Sequence, residues 1–362
     1  MASAACWHYW FTVEKLMRVL HIDTLQLRRY GRTRVSWAQK LGFGLIKNDH
    51  YLQSFSDRDV AAFEAPFGIR DLGVGKANKR LLEMADAMEP DLVIAGHCDT
   101  ISNDTLREIK KRFPASIVVH CNNDPLFVPS NVERIRSRAA VVDAVFVSTG
   151  LRELKQFEGL GARIYHMPNP IEASVECLDN SSRTDLEIDL LFCSNSTDFT
   201  KRLEMVGNIK NAVKHEMNFK TYGSFGEGPV WGRDYDRALA KTKMGLNLNR
   251  QEGDYWYSSA RMAQLAGNGI LLFTSSAPRF DELLPPESAV YFDDEASLLA
   301  KIREFQSDDA KRQYWASRTR SFFHREINSK LYAQFIVEAS LEMPFSHEYV
   351  WALDLVRDGV AK

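Results

Sequence analysis

The stretch from 243 to 269 concentrates residues able to grip an anion. It reads Lys243-Met244-Gly245-Leu246-Asn247-Leu248-Asn249-Arg250, then a Gly- and aromatic-rich run to Tyr257, then Ser258-Ser259-Ala260-Arg261 with Gln264 beyond. The apolar run before Asn249-Arg250 predicts a strand, and Ser258-Ser259 predicts the opening of a helix. A helix N-terminus carries unpaired N–H groups and partial positive charge, so it suits a diphosphate. Arg250 and Arg261 add forked donors that match phosphate oxygens. Tyr255, Trp256 or Tyr257 could stack on a base. Singly, these residues fit an ordinary capped helix with aromatics packed at a loop; their order favours the anion site. Thr200-Lys201-Arg202 repeats the pattern at another predicted helix start, after the strand Ile188–Cys193 and the loop Ser194 to Thr197. It fits a phosphate or a solvated helix start equally well. In the first half, polar residues follow predicted strands: His21 and Asp23, His97 and Asp99, and His120 with Asn123 and Asp124.

These residues need a scaffold, and the chain supplies a repeating one. Predicted strands at Leu20–Ile22, 91–95, 116–120, Ala144–Val147 and 163–167 alternate with helical patterns. One such helix carries Val35, Ala38, Leu41 and Leu45; another, capped within Ser102-Asn103-Asp104, carries Leu106, Ile109 and Phe113. That rhythm predicts a parallel sheet covered on both faces. Pro168-Asn169-Pro170 and a polar stretch to about Glu187 then mark a hinge. Strands at Ile188–Cys193, Phe219–Tyr222, 244–248, 269–274 and 289–292 form a second unit, with a helical stripe Leu203, Val206, Ile209, Val213 and Met217. The expected organisation is an extension at 1–16, an α/β unit at 17–170, a second at 187–320, and returning helices at 321–362. In such sheets ligands bind beyond the carboxyl ends of the strands, in the crevice between the units.

The stretch from Lys243 to Asp294 resembles the donor-binding half of GT-B glycosyltransferases, in particular the spore-maturation-protein-B-like (CgeB-type) group with its Glyco-trans-1-like C-terminal domain. The likeness rests on Lys243–Asn249, then Ser259, Arg261, Gln264 and Gly269, the apolar run Ile270-Leu271-Leu272-Phe273, and Glu282-Leu283. Gly75-Lys76-Ala77-Asn78, Glu89-Pro90-Asp91 and Asn122-Asn123-Asp124-Pro125 also fit, and Met167-Pro168-Asn169-Pro170-Ile171 is similar to the family's hinge entry. The likeness extends over residues 17–340. It implies two Rossmann-like domains facing across a cleft, with C-terminal helices crossing back. It also implies transfer of a sugar from a nucleotide-sugar to a glycan, lipid-linked or protein acceptor, in bacterial surface-glycan biosynthesis.

Under that resemblance Lys201, Arg202, Lys243, Asn249, Arg250, Tyr257, Ser258, Ser259, Arg261, Gln264 and Glu282 are expected to hold the donor. Arg28, Arg29 and Asn123 are expected at the acceptor. The base that takes the acceptor's proton is expected among Asp124, His97, His120 and Asp23, with Asp124 and His97 leading. A lone histidine is more often a structural hydrogen-bonder, and the arginines around Gly31 equally suit a solvated loop. One position departs from the pattern: Gln264 stands where the family commonly places an acid. An amide still accepts and donates, without the roughly twofold strength of a charged partner. Two alternatives remain beside transfer, a nucleotide-sugar epimerase and a degenerate sugar-binding protein.

The sequence excludes several other classes. Lys and Arg total 46 against 48 Asp and Glu, which gives no support to a nucleic-acid binder. Gly42-Phe43-Gly44 and Gly73-Val74-Gly75 do not follow strands in the dinucleotide-binding form. No His/Cys cluster or acidic loop motif suits a metal, so neither a metal nor another cofactor is expected. Five scattered cysteines without a C-x-x-C pattern suit a reducing cytoplasm. No apolar run approaches a membrane span, so contact with the inner face of the membrane would be peripheral at most.

Overall fold

The computed structural model describes residues 16–26, 35–194, 200–251 and 253–352. The first unit is a six-stranded sheet of β1 (Arg18–Asp23), β2 (Tyr51–Ser56), β3 (Leu92–Ala95), β4 (Ile117–Asn122), β5 (Ala144–Val147) and β6 (Arg163–His166). Its order is β2-β1-β3-β4-β5-β6, and every pairing is parallel. Helices α1 (Trp37–Lys47), α2 (Asp57–Glu64), α3 (Arg70–Met88), α4 (Asn103–Arg112), α5 (Pro129–Ala139) and the single turn α6 (Leu151–Leu154) connect the strands. Val93, Ile94, Val118, Val119, Val145 and Phe146 are buried, as strands covered on both faces require. The Ser102 hydroxyl accepts the Thr105 N–H at 3.1 Å and so starts α4 where the capping residues predicted.

The second unit is a five-stranded parallel sheet of order β11-β10-β9-β7-β8. Its strands are β7 (Ile188–Cys193), β8 (Phe219–Tyr222), β9 (Thr242–Asn247), β10 (Leu271–Ser275) and β11 (Val290–Phe292). Helices α7 (Lys201–Ala212), α8 (Gly232–Leu239), α9 (Ala260–Gly267), α10 (Glu295–Ser307) and α11 (Asp309–Glu326) complete it, and α12 (Ser329–Ser340) follows. The stripe ending at Met217 overreached, because α7 stops at Ala212 and Val213 caps it.

Three elements escape the sequence pattern, β2 and the helices α2 and α3. β2 lies at the sheet edge and mixes polar with apolar residues, so it lacks the run of a buried strand. The pair α2–α3 is joined through a short turn at Pro66–Gly68.

The chain passes between the units twice, and the two crossings touch. The Ile171 N–H donates to the Ile327 carbonyl at 2.9 Å, and the Ser329 N–H donates to the Ile171 carbonyl at 2.8 Å. Helix α11 packs on α9 and β10, whereas α12 packs on α1 of the first unit. Gly44 permits that return, since a Cβ there would lie 1.9 Å from the Ser329 carbonyl oxygen. Charged groups line this hinge: Lys40 pairs with Glu176 at 2.6 Å and Lys47 with Glu172 at 2.5 Å. The Ser329 hydroxyl also donates to Glu172. Among the described residues no helix is long and apolar enough to cross a membrane.

Candidate functional site

In each sheet the strand order reverses at one place, and there the loops diverge to leave a crevice. In the first unit this point lies between β1 and β3; in the second it lies between β7 and β9. Asp23 ends β1 and His97 follows β3. Arg202 follows β7, and Asn249 and Arg250 follow β9. The two switch points face one cleft.

On the side of the second unit three guanidinium groups converge. Arg202 donates to the Leu248 carbonyl at 3.3 Å and to the Ser194 hydroxyl at 3.2 Å, while its Nε is buried without a partner. Arg261, in the first turn of α9, donates to the same carbonyl at 2.9 Å. Both guanidiniums lie against the Phe192 ring, at 5.7 and 5.5 Å from its centre. Arg250 lies 5.8 Å from the Phe127 ring, which belongs to the first unit. Among the described residues no carboxylate pairs with any of the three. Burial, with the charges of Arg261 and Arg250 adding to it, holds Arg202 down at about 10. Burial also lowers Arg261. Cations gathered in a cleft raise the local positive potential and suit an anionic ligand.

Beside this cluster lies a cavity of about 280 Å³ reached by both units. The first unit contributes Asp23, Thr24, Trp37, Lys40, Arg58, His97, Asn123 and Asp124; α9 contributes Ala260 and Gln264. His97 and Asp124 meet here, with Nδ1 3.0 Å from Oδ2. Arg134 of α5 donates to the same oxygen at 3.2 Å. Burial pushes the Asp124 carboxyl up, but His97 and Arg134 outweigh it and hold it below the ordinary range. Arg134 Nη1 also lies 3.4 Å from His97 Nδ1; the tautomer that donates Nδ1–H to the closer Asp124 leaves the ring's lone pair on Nε2. Tyr257 joins the two parts of the site: burial raises its hydroxyl to about 12, with Asp124 adding to the rise and Arg250 and Arg261 opposing it.

The remaining expected residues divide. Asn123 reaches the cavity wall, and half-buried Asn249 follows β9. Lys201 is exposed at the start of α7. Gln264 faces the cavity with its carbonyl oxygen accepting from the Tyr235 hydroxyl at 2.9 Å. Asp23 lines the cavity but is 3 % exposed, and its Oδ2 is buried unpaired 3.7 Å from the His21 Nε2.

His120 is corrected outright. It is fully inside β4, its Nδ1 bonds the Ala95 carbonyl at 2.8 Å, and burial holds it down at about 3. It is a neutral core histidine, 1 % exposed within the sheet. Lys243 sits near the opposite end of its strand, paired with Asp189 at 2.8 Å. Ser258 and Ser259 are already engaged. The Ser258 hydroxyl accepts the Asn169 N–H at 2.8 Å, and the Ser259 hydroxyl donates to Asn247 at 2.9 Å. Glu282 accepts from the Tyr255 hydroxyl at 2.7 Å and pairs with Arg152 and Arg279. Arg28 and Arg29 lie outside the described residues.

Tyr255 and Trp256, offered above as base platforms, instead clasp the two units together. They stack at 4.8 Å between ring centres, and both are buried. The Gly150 N–H donates to the Tyr255 carbonyl at 2.7 Å. Gly150 is required there, since a Cβ would fall 2.5 Å from the Tyr255 ring. Lys40, Thr24, Arg58 and Arg134 belong to the site and were missed. Lys40, Arg58 and Arg134 sit inside helices, where nothing in their local sequence distinguishes them from solvated charges, and Thr24 directly follows β1 beside Asp23.

Two facing parallel-sheet units, a contacting double crossover and a cleft at both switch points define the GT-B fold. Residues 201–338 match the family model described as glycosyl transferase-like. Among solved structures, the chain resembles sucrose-phosphate synthase from Thermosynechococcus elongatus, with a TM-score of 0.63 and 10% identity over 90% of this chain and 98% of that one. It resembles the catalytic domain of starch synthase IV from Arabidopsis thaliana bound to ADP and acarbose, with a TM-score of 0.63 and 9% identity over 91% of this chain and 99% of that one. HepE of Anabaena in complex with UDP gives a TM-score of 0.54 and 12% identity over 90% of this chain and 100% of that one. No curated protein matches the sequence significantly.

Proposed function

We propose that this protein is a glycosyltransferase that binds a nucleotide-sugar across the cleft and moves the sugar to an acceptor hydroxyl. The observation that carries the reading is the convergence of Arg202, Arg250 and Arg261, with no carboxylate paired to them among the described residues, at the switch point of the second sheet. That is where a diphosphate leaving group needs charge, and preorganised cations stabilise it as the bond to the sugar breaks. The same cluster supports transfer without a metal, because guanidinium groups occupy the role a divalent cation would fill.

His97 Nε2 takes the proton of the acceptor hydroxyl, and Asp124 orients the ring and stabilises its charged form. The acceptor oxygen bonds the anomeric carbon as the bond from that carbon to the diphosphate breaks. Gln264 of α9, its carbonyl oxygen held by the Tyr235 hydroxyl of α8, offers its amide N–H groups to the donor. The spore-maturation-protein-B-like assignment and a role in surface-glycan synthesis belong to the same proposal, supported by the run from Lys243 to Gly269.

The test is titration calorimetry with UDP, GDP, ADP and CMP, followed by mass spectrometry of acceptor mixtures incubated with the matching nucleotide-sugar. Binding of one nucleotide and acceptor-dependent product are expected. Failure of every nucleotide to bind would overturn the reading, and donor turnover without acceptor would replace it with epimerisation.

A further inference from the structure

One face of α5 holds both loops that carry His97 and Asp124. Asn131, Arg134 and Arg138 recur at helical spacing, so they stack along that face. Asn131 Nδ2 donates to the carbonyl of Pro125, the residue after Asp124, at 3.0 Å. Arg138 donates to the carbonyl of Cys98, the residue after His97, at 3.0 Å, and to the Ile101 carbonyl at 2.6 Å. Asn131 and Arg138 are each 6 % exposed, so both ties are buried. Each loop is therefore pinned beside the residue it presents to the cavity. The Thr24 hydroxyl adds a bond to the His97 carbonyl at 2.7 Å.

Arg134 lies between the two pins, where the side chains meet. Its Nη1 is 3.2 Å from Asp124 Oδ2 and 3.4 Å from His97 Nδ1, and those two atoms are 3.0 Å apart. With a hydrogen on Nδ1, both groups aim N–H at one carboxylate oxygen. The guanidinium anchors the acid, and its charge opposes a second proton on the ring. A carboxylate alone favours a charged imidazole; a carboxylate shared with a guanidinium favours it less. Asp99, two residues on in the His97 loop, is shared in the same way, clasped by Arg58 of α2 through two bonds of 2.9 Å. Asp23 and Lys40 also line the cavity, with Lys40 paired to Glu176, and Tyr257 faces Asp124 from the second unit.

We propose that Arg134 is a positioning residue for the base: it fixes Asp124 against His97 and offsets part of the negative charge that the ring feels. Resting on the function proposed above, this keeps Nε2 open to the acceptor's proton in mildly acidic surroundings. Arg134 acts only through Asp124 and the ring.

The test is carbethoxylation of the full chain by diethyl pyrocarbonate from about pH 5 to 8, with modification at His97 read by peptide mass spectrometry. The His97 side chain is 32 % exposed, which admits the reagent. The reagent takes a free ring nitrogen, so the midpoint of its pH dependence needs no transfer activity. A unit charge at this range is worth about tenfold in a proton equilibrium even in water-like surroundings. Arg134→Gln should therefore move the midpoint up by about one pH unit, and Arg134→Lys, which keeps the charge, should restore most of it. Asp124→Asn should move it down, and Asp124→Asn with Arg134→Gln should return toward wild type. The acid limb of kcat/KM for transfer should shift with the midpoint. The same midpoints without transfer by the wild type would support the positioning role while overturning the function it serves. A midpoint that Arg134→Gln leaves in place or moves down would overturn the proposal, as would a shift that Arg134→Lys leaves at full size.

Discussion

Replacing Arg261 by Met should weaken nucleoside diphosphate binding while leaving the empty protein at least as stable. Arg202 is held at about 10, against an ordinary 12.5, by burial first and then by Arg261 and Arg250. At about 1.4 kcal/mol per tenfold, that is about 3 kcal/mol of disfavoured charge, of which Arg261 supplies a part. Removing Arg261 relieves that part and sacrifices one hydrogen bond to Leu248, worth about 1 kcal/mol net. The Leu248 carbonyl keeps Arg202 as a donor. The two changes nearly cancel, so the melting temperature without ligand should stay within about 2 °C. With ligand the sign is plain, since a charge-assisted bond to phosphate is worth about 1.5–3 kcal/mol. Affinity for the preferred nucleotide should fall by about 10- to 100-fold. Thermal melts with and without nucleotide, paired with calorimetry, read both quantities. A variant that melts many degrees lower yet binds nucleotide within threefold of wild type would show that Arg261 is a structural residue and refute the reasoning.

Three further outcomes follow from the geometry. His97→Ala should lower kcat by about 10²- to 10⁴-fold with nucleotide affinity unchanged, as steady-state kinetics and calorimetry would show. Gln264→Glu should tighten nucleotide binding by about tenfold, because the carboxylate still accepts from the Tyr235 hydroxyl and offers a charged acceptor to the ligand. Burial opposes ionisation of Glu172, but Lys47, Ser329 and Ser174 prevail and hold it at about 2, against an ordinary 4.5. A carboxyl depressed by folding stabilises fully above its unfolded value. Up to about 3 kcal/mol of hinge stability should therefore disappear as pH falls from about 4.5 to 2. Urea melts across that range should show the loss, and Glu172→Gln should remove this component of the pH dependence.

Much of the fold was legible because each strand is a short apolar run between polar loops, and each core helix shows its own period. Ile188–Cys193 and Phe219–Tyr222 were read to the residue. β2 was not, because an edge strand with a solvated side needs no continuous apolar run. The candidate anion site was half legible. Arg250 and Arg261 stand close together in a motif, and Arg202 stands at a helix start. That the three converge depends on β7 and β9 being neighbours, although more than forty residues separate the arginines of those two strand ends.

The sequence by itself determined two α/β units, a connection at Pro168-Asn169-Pro170 between them, and a segment in the second half with the residue types to hold an anion, because these follow from local period, turn chemistry and residue type. Tertiary structure decided which polar groups face the cleft. By sequence His97 and His120 both follow or end predicted strands, yet one meets Asp124 at the cavity and the other is sealed inside β4. Tyr257 reaches the site while its neighbours Tyr255 and Trp256 are buried in the clasp. Side-chain direction and strand order are properties of the assembled sheets, and residue type alone does not encode them.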